Sequence, residues 1–315
     1  MKIVYLDKYA LNPGDLDFSS LLELGDITLY DRTPTAAEAI ERIGDAEVVI
    51  VNKVPMTREI YSACKNLKFI TVTATGYNTV DTESAKEYGI TVSNVPAYST
   101  PSVAQHIFAL ILELCIRTGD HSRSVKDGMW QSCPDYTYHI SNLTELSGKT
   151  LGLIGMGAIG CATANIAKAF GMKVICYHSR QHVDGVEHVN LDTLLKNSDI
   201  ISLCCPLKED NKRIIRRETI EKMRDGVMII NTARGGLIDE DDLAETVKSG
   251  KVSGAGLDVL TNEPPTNSSP LIGLENVIIT PHIAWAPLES RARLLDVTID
   301  NIKAYMDGNP QNVVN

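Results

Sequence analysis

The sequence predicts an α/β protein whose parallel, helix-covered sheets fall into two domains. Three observations predict it. Short apolar runs alternate with helical patterns along most of the chain, and strands alternating with helices at these lengths pair in parallel. Residues 148–180, GKTLGLIGMGAIGCATANIAKAFGMKVICYHSR, hold a complete strand–helix–strand unit with glycines at its first turn. A length of 315 residues suggests about two domains.

The elements follow in order. Residues 3–6 and 27–30 read as strands, and 35–43 as a helix opened by a Thr35/Glu38 capping box. Residues 47–51 are a strand, and Thr57 is expected to cap a helix reaching Cys64. Strand 69–73, a helix over 81–88 stopped by Gly89, and strand 91–95 complete a first α/β layer set. In residues 98–117 Thr100 is a good N-cap and Pro101 stands at N1, where its missing N–H is harmless. The helix that follows is apolar on most sides, so it must be buried on most sides. It links the two domains, and a second subunit is a further candidate for what covers it. Residues 129–142, MWQSCPDYTYHISN, are aromatic and irregular. Such an arm covers its own domain or clasps a partner chain, and the partner is the favoured reading.

The glycine unit opens the second domain. Residues 150–154 read as a buried strand, and Gly155, Gly157 and Gly160 follow as G-x-G-x-x-G. Ile159, Ala162, Ile166 and Phe170 then fall on one helical face, Gly171 stands at C′, and 173–177 is a second strand. Gly155 permits the tight turn, Gly157 admits a pyrophosphate to the backbone, and Gly160 lets helix and strand pack closely. The helix N-terminus offers free N–H groups to phosphate. The pattern continues with strand 200–203, a helix over 217–223, strand 227–231, a helix capped by Asp239 and running to Ser249, and strands 254–258 and 277–280. Pro264 and Pro265 with Asn267, Ser268 and Ser269 mark an exposed loop. A final helix over 287–307 returns to complete the first domain. The expected division is therefore 1–98 plus 286–315, and 99–285.

Composition excludes several classes. Hydrophobic residues at 43% and charged residues at 22% suit a globular protein with two proper cores. A net charge of −10 with no basic run argues against a nucleic-acid partner. No run approaches the roughly 20 apolar residues of a membrane span, and the first residues lack the pattern of a signal peptide. The seven cysteines are odd in number and scattered, with no metal-ligand spacing. A cytoplasmic protein without disulfides or structural metal is expected.

Ligands of open parallel sheets bind beyond the carboxyl ends of the strands. Arg234 follows the strand ending at Asn231, Glu263 the strand ending at Asp258, and His282 the strand ending at Thr280. Singly, each reads as a solvated charge or a structural histidine. Together, three complementary types at three successive strand ends fit hydride chemistry at a 2-oxo acid. Reduction of a ketone needs a proton at oxygen as hydride reaches carbon. His282 is the natural acid, and the base in reverse. Glu263 favours the imidazolium and selects the ring nitrogen that faces the substrate. Arg234 offers a planar fork to a carboxylate and a charge that polarises the carbonyl. No metal is required.

In this order GMGAIG, NTARGG, LDV with NEPP, and TPHIAW resemble the D-isomer-specific 2-hydroxyacid dehydrogenases. The resemblance extends over the chain through YLDKYALNPGDL, NKVP, TATGYNTVD and YSTPSVAQH, of which the first two are most similar to glycerate dehydrogenase (hydroxypyruvate reductase) members. It implies two Rossmann-like or flavodoxin-like lobes, the nucleotide-binding lobe 99–285 inserted into the substrate-binding lobe, with a cleft between them, and a homodimer. It implies that Arg234, Glu263 and His282 are catalytic. It implies a substrate carboxylate on the backbone N–H groups of Thr75, Gly76 and Tyr77, with Lys53 and Trp285 as pocket walls. It places Val103, Pro206, Thr232, Ala233 and Asp258 along the nicotinamide, beside the phosphate turn of Gly155, Met156, Gly157, Ala158, Ile159 and Gly160. Read without the family, TATGYN is a simple glycine turn.

One departure concerns the cofactor. The second strand of an NAD site usually ends in an acidic residue that bonds the ribose hydroxyls. Here it ends Tyr177-His178-Ser179-Arg180. Ser179 and Arg180 suit a 2′-phosphate, so NADPH is expected to be accepted and preferred. In the alternative Arg180 stacks on the adenine of NAD and His178 fills space. The expected reaction is reduction of hydroxypyruvate or glyoxylate. D-lactate or another 2-oxo acid chemistry is the near alternative, and a corepressor-like NAD(H)-sensing protein the alternative of another class. A methyltransferase reading of the glycine turn leaves Arg234, Glu263 and His282 unexplained.

Overall fold

The computed structural model describes residues 1–179, 181, 183–265 and 269–315, with the backbone alone at Ser179. Among these residues the chain forms two compact units, residues 1–99 with 285–315, and residues 100–284.

The first unit is built on β1 (Lys2–Tyr5), β2 (Asp26–Leu29), β3 (Val48–Val51), β4 (Phe69–Val72) and β5 (Thr91–Ser93). All pair in parallel, in the order β2-β1-β3-β4-β5. β3 and β4 are buried along their whole length, because helices cover both faces. Alternate residues serve opposite faces. Val4, Val49, Val51, Ile70 and Val72 pack with Ala39, Ile43, Ile60 and Ala85 of three crossover helices. Ile3, Tyr5, Val48, Ile50 and Phe69 pack with Leu294, Leu295, Ile299 and Ile302 of the last helix, Leu288–Met306.

The second unit contains β6 (Thr150–Met156), β7 (Lys173–Ser179), β8 (Val186–His188), β9 (Ile200–Leu203), β10 (Val227–Asn231), β11 (Val252–Leu257) and β12 (Val277–Ile279). The order is β12-β11-β10-β9-β6-β7-β8, again all parallel. The chain winds outward from β6 to β8 and then restarts on the other side at β9, so the order switches between β6 and β9. In doubly wound sheets such a switch point opens the ligand crevice. Helix Thr100–Ile116 lies on this sheet. Gly256 admits it: a Cβ there would stand 2.8 Å from Leu110 Cβ. Ile107, Ile111 and Cys115 are fully buried, the two isoleucines each stabilising the unit by about 2 kcal/mol.

Several local expectations are corrected. Thr57 stands at the N-cap of Arg58–Ala63 but makes no capping bond, and its hydroxyl is buried without a partner among the described residues. Thr100 is the first helical residue rather than a flanking cap. The buried face of Ala158–Ala169 is Gly160, Thr163, Ala164 and Ala167, not the Ile159–Phe170 stripe. Small residues let the helix approach the sheet, and the larger ones move to its flank, where Phe170 stacks on Phe108 with centroids 5.3 Å apart. The helix expected over 217–223 is a single turn, Arg217–Ile220. Helices Ser19–Leu22, Thr118–Lys126 and Leu191–Asn197 and strand β8 had no expectation. Thr118–Lys126 carries a polar sequence with no buried face, which leaves periodicity nothing to detect. Asn267 and Ser268 of the expected loop lie outside the described residues.

Candidate active site

The three glycines of the turn have different surroundings. Gly155, the penultimate residue of β6, has φ +101°, and a Cβ there would stand 2.7 Å from Cys205 N. Both the turn and the close approach to the chain leaving β9 therefore demand glycine. At Gly160 a Cβ would stand 2.5 Å from Gly155 O, so helix and turn are in backbone contact. Gly157 is different: among the described residues, no heavy atom beyond its chain neighbours lies within 4 Å of its Cβ position. It is the N-cap of Ala158–Ala169, makes no side-chain cap, and the first turn carries no acidic residue. The N–H groups of that turn lack intrahelical acceptors. A bare backbone with open space before an uncapped, twelve-residue helix at a switch point fits a pyrophosphate. Met156 and Ala158 flank this turn, and Ile159 packs at the edge of the core.

At the end of β7, His178 has φ +62°. Arg180 lies outside the described residues, as does the side chain of Ser179.

The three ionisable residues stand beyond three adjacent strands, β10, β11 and β12. After β10, the buried Asn231 side chain accepts the N–H of Ala233 at 3.0 Å and donates to the carbonyl of Arg234 at 2.8 Å. That brace fixes the backbone of Arg234, whose side chain is exposed and donates to Ala233 O. Gly235 presses this loop onto the next. A Cβ there would stand 2.0 Å from Leu260 C, which no side chain survives. The loops bearing Arg234 and Glu263 are thus locked together by a backbone contact.

Glu263 uses both carboxylate oxygens. Oε1 accepts the N–H of Leu260 at 3.1 Å, and Oε2 lies 2.6 Å from His282 Nδ1. A carboxylate only accepts, so the proton of this bond sits on Nδ1. Nε2 is the ring nitrogen left to meet a substrate. Both side chains are about one-third exposed, so the pair is reachable yet partly shielded.

His282 itself has φ +54°. Such a conformation persists where the surroundings over-determine it. Asp258, 1% exposed at the end of β11, supplies that constraint. Its Oδ1 accepts Thr280 Oγ1 at 2.6 Å and Ile283 N at 2.8 Å, and its Oδ2 accepts Ala284 N at 2.8 Å. One buried carboxylate grips the chain on both sides of His282. Asp258 was expected along the nicotinamide. The structure shows its oxygens committed to the loop as well, a bracing role that sequence alone did not reveal, because two of the three partners are backbone N–H groups.

Other expected residues are placed as follows. Thr232 and Ala233 are half-buried in the loop after β10, Pro206 is exposed after β9, and Val103 is buried against the second sheet. In the first unit, the loop after β4 is tied through its carbonyls and side chains. Asn52 Nδ2 donates to Thr73 O, Asn94 Nδ2 to Thr75 O, and Thr75 Oγ1 to Val95 O. The N–H groups of Thr75, Gly76 and Tyr77 have no partner among the described residues, which leaves a row of donors suited to an anion. Lys53 is exposed after β3, where the buried Asp7 accepts the N–H groups of Asn52, Lys53 and Val54. Trp285 packs at the edge of the core under the last helix. Among the described residues no group of His, Cys, Asp and Glu could hold a metal ion, and no helix is long and apolar enough to cross a membrane.

Residues 108–284 match the family model described as D-isomer specific 2-hydroxyacid dehydrogenase, NAD binding domain. The chain belongs to the D-isomer specific 2-hydroxyacid dehydrogenase family. It is 50% identical to a hydroxypyruvate reductase of Blautia hydrogenotrophica, with 100% of both chains covered. It is 39% identical to a glycerate dehydrogenase of Methylorubrum extorquens over 99% of this chain and 98% of that one. Among solved structures, an acyclic imino acid reductase in complex with NADPH and D-Arg matches with a TM-score of 0.87 at 35% identity, covering 100% of both chains. This dehydrogenase therefore takes a nicotinamide cofactor and a small 2-hydroxy or 2-oxo acid.

Proposed function

We propose that the enzyme reduces hydroxypyruvate or glyoxylate to the corresponding 2-hydroxy acid, with Arg234, Glu263 and His282 as its catalytic residues. The observation that carries this reading is the His282–Glu263 pair at 2.6 Å, set beside the loop of Arg234 at the ends of adjacent parallel strands. The names of the relatives at 50% and 39% identity support the substrate class.

The nicotinamide, when bound, supplies the hydride. His282 donates the Nε2 proton to the carbonyl oxygen, and in the reverse direction removes the hydroxyl proton. Glu263 holds Nδ1–H, keeps Nε2 turned outward, and offsets the ring's charge while it is protonated. Arg234 binds the substrate carboxylate with its planar fork and draws electron density onto the carbonyl oxygen. The same reading assigns carboxylate binding to the N–H groups of Thr75, Gly76 and Tyr77, pocket walls to Lys53 and Trp285, and the nicotinamide side to Val103, Pro206, Thr232, Ala233 and Asp258.

Two finer points belong to the proposal. NADPH is accepted and preferred, because Tyr177-His178-Ser179-Arg180 supplies no acidic residue where NAD sites carry one; the neighbour solved with NADPH supports this. The chain works as a homodimer in the cytoplasm. The irregular arm around Trp130 and Tyr136 exposes large side chains, Tyr136 at 89%, which suits coverage by a second copy.

The deciding experiment is steady-state oxidation of NADPH and NADH with a panel of 2-oxo acids. Highest kcat/KM on hydroxypyruvate or glyoxylate is expected. Preference for pyruvate would move the assignment to a lactate-type reductase, and a clear NADH preference would overturn the cofactor reading.

A further inference from the structure

The brace around His282 does not end at Asp258. His106, on helix Thr100–Ile116, places Nε2 3.0 Å from Thr280 Oγ1 and 3.5 Å from Asp258 Oδ1. Counting protons fixes the direction of these bonds. The Asp258 oxygens already take two backbone N–H groups and a hydroxyl proton, so Asp258 acts only as an acceptor. Thr280 has one hydroxyl proton and gives it to Asp258 at 2.6 Å. Its oxygen can therefore only accept from the ring, and His106 carries a proton on Nε2. A directed chain results, from His106 to Thr280 to Asp258, which in turn receives the N–H groups of Ile283 and Ala284.

This chain flanks His282, whose φ of +54° is disfavoured for a residue with a side chain. His282 N–H also bonds Thr280 O at 2.9 Å. Thr280 is thus the hinge of the left-handed turn, and its hydroxyl receives the shorter of the two contacts that the His106 ring makes there, 3.0 Å against 3.5 Å to Asp258 Oδ1. Remove the ring N–H, and Thr280 Oγ1 loses the donor that orients it. The hydroxyl is then free to leave Asp258, and the turn loses one of its three ties.

We propose that His106 is a positioning residue that acts through Thr280 and Asp258 to hold the backbone at His282, and so to aim its Nε2. This rests on the reading of His282 as the proton donor. The role predicts a loss in kcat with little change in cofactor or substrate binding, because the misplaced group matters in the transition state.

The test compares His106→Leu, His106→Gln, Thr280→Val and the double variant H106L/T280V in the full chain. H106L is expected to lower kcat on hydroxypyruvate about 10- to 100-fold, with KM and the cofactor dissociation constant moved less than about threefold. H106Q keeps an N–H donor near the position of Nε2 and is expected to recover most of the loss. T280V should match H106L, and the double variant should be no worse than the poorer single, because both break one chain. The proposal is overturned by an H106L enzyme within about twofold of the parent, by failure of H106Q to rescue, or by additive losses. If the parent itself is inert on 2-oxo acids, the functional reading fails instead. The downfield proton resonance of His282 Nδ1–H, assigned by its absence in H282A, then decides separately. A shifted or broadened signal in H106L supports the positioning role, and an unchanged one ends it.

Discussion

At the scale of single residues, the site is an exercise in assigning protons. Glu263 makes His282 an Nδ1–H tautomer, and in the proposed reaction Nε2 is the donor. His282→Ala is expected to lower kcat by roughly 10²- to 10⁴-fold while cofactor still binds; fluorescence titration beside turnover assays checks both halves. Glu263→Gln leaves an amide oxygen that can accept from Nδ1–H but removes the charge. The difference between charge-assisted and neutral bonds is about 1–1.5 kcal/mol, or about tenfold in kcat. Retention of full kcat in E263Q would mean that geometry alone suffices. Arg234→Lys keeps a charge without the fork, so KM should rise and kcat fall together. Asp7 offers a pH prediction. Burial raises its pKa, and the N–H bonds from Lys53, Asn52 and Val54 only partly offset that. A raised carboxyl contributes stability that is present below its unfolded pKa, near about 4, and lost as pH climbs through the folded value. Asp7→Asn should therefore gain stability relative to the parent between acid and neutral pH, read from urea midpoints. A gap between the two proteins that is flat across that window counts against it.

At the scale of elements, the glycines separate folding from binding. Gly155, Gly160 and Gly235 face backbone atoms at 2.0–2.7 Å from a would-be Cβ, whereas Gly157 faces none. Gly157→Ala should leave the thermal midpoint nearly unchanged and weaken cofactor binding at least about tenfold. Gly235→Ala should destabilise the second unit by about 1–3 kcal/mol and abolish turnover, since the loops of Arg234 and Glu263 must part. Equal cofactor affinity in G157A would show that the space before the helix is not used. The two units also share a device. Each places a buried aspartate just past a strand, Asp7 after β1 and Asp258 after β11, and each aspartate collects N–H groups from the loop of a neighbouring strand. An ionised acceptor holds several backbone donors more firmly than a neutral one can.

At the scale of the whole molecule, the two sheets follow different winding orders, and the one that switches between β6 and β9 carries the glycine turn. The seven cysteines are free thiols. Burial pushes the thiols of Cys64, Cys115, Cys176 and Cys205 up. These four should resist iodoacetamide in the native protein and react once it is unfolded, while the half-exposed Cys133 and Cys161 react in both states. Mass spectrometry of digests checks this. Sedimentation equilibrium checks the dimer, and Trp130→Asp with Tyr136→Asp should weaken it if the arm is covered by a second copy.

Much was legible from the chain alone where one local rule decides. Alternation of strand and helix implied parallel sheets. The glycine spacing located the turn at the switch point, and the position of Arg234, Glu263 and His282 just past strand ends was readable before the Glu263–His282 contact was known. Those signals are local because propensity, turn geometry and period act over a few residues. What only the tertiary structure decided depends on partners far apart in sequence. The strand order set the switch point beside Gly155. Close packing turned the small-residue face of Ala158–Ala169 inward. The ties of His106, Thr280 and Asp258 to a left-handed His282 run largely through backbone N–H groups, which carry no mark in the sequence because every residue but proline has one.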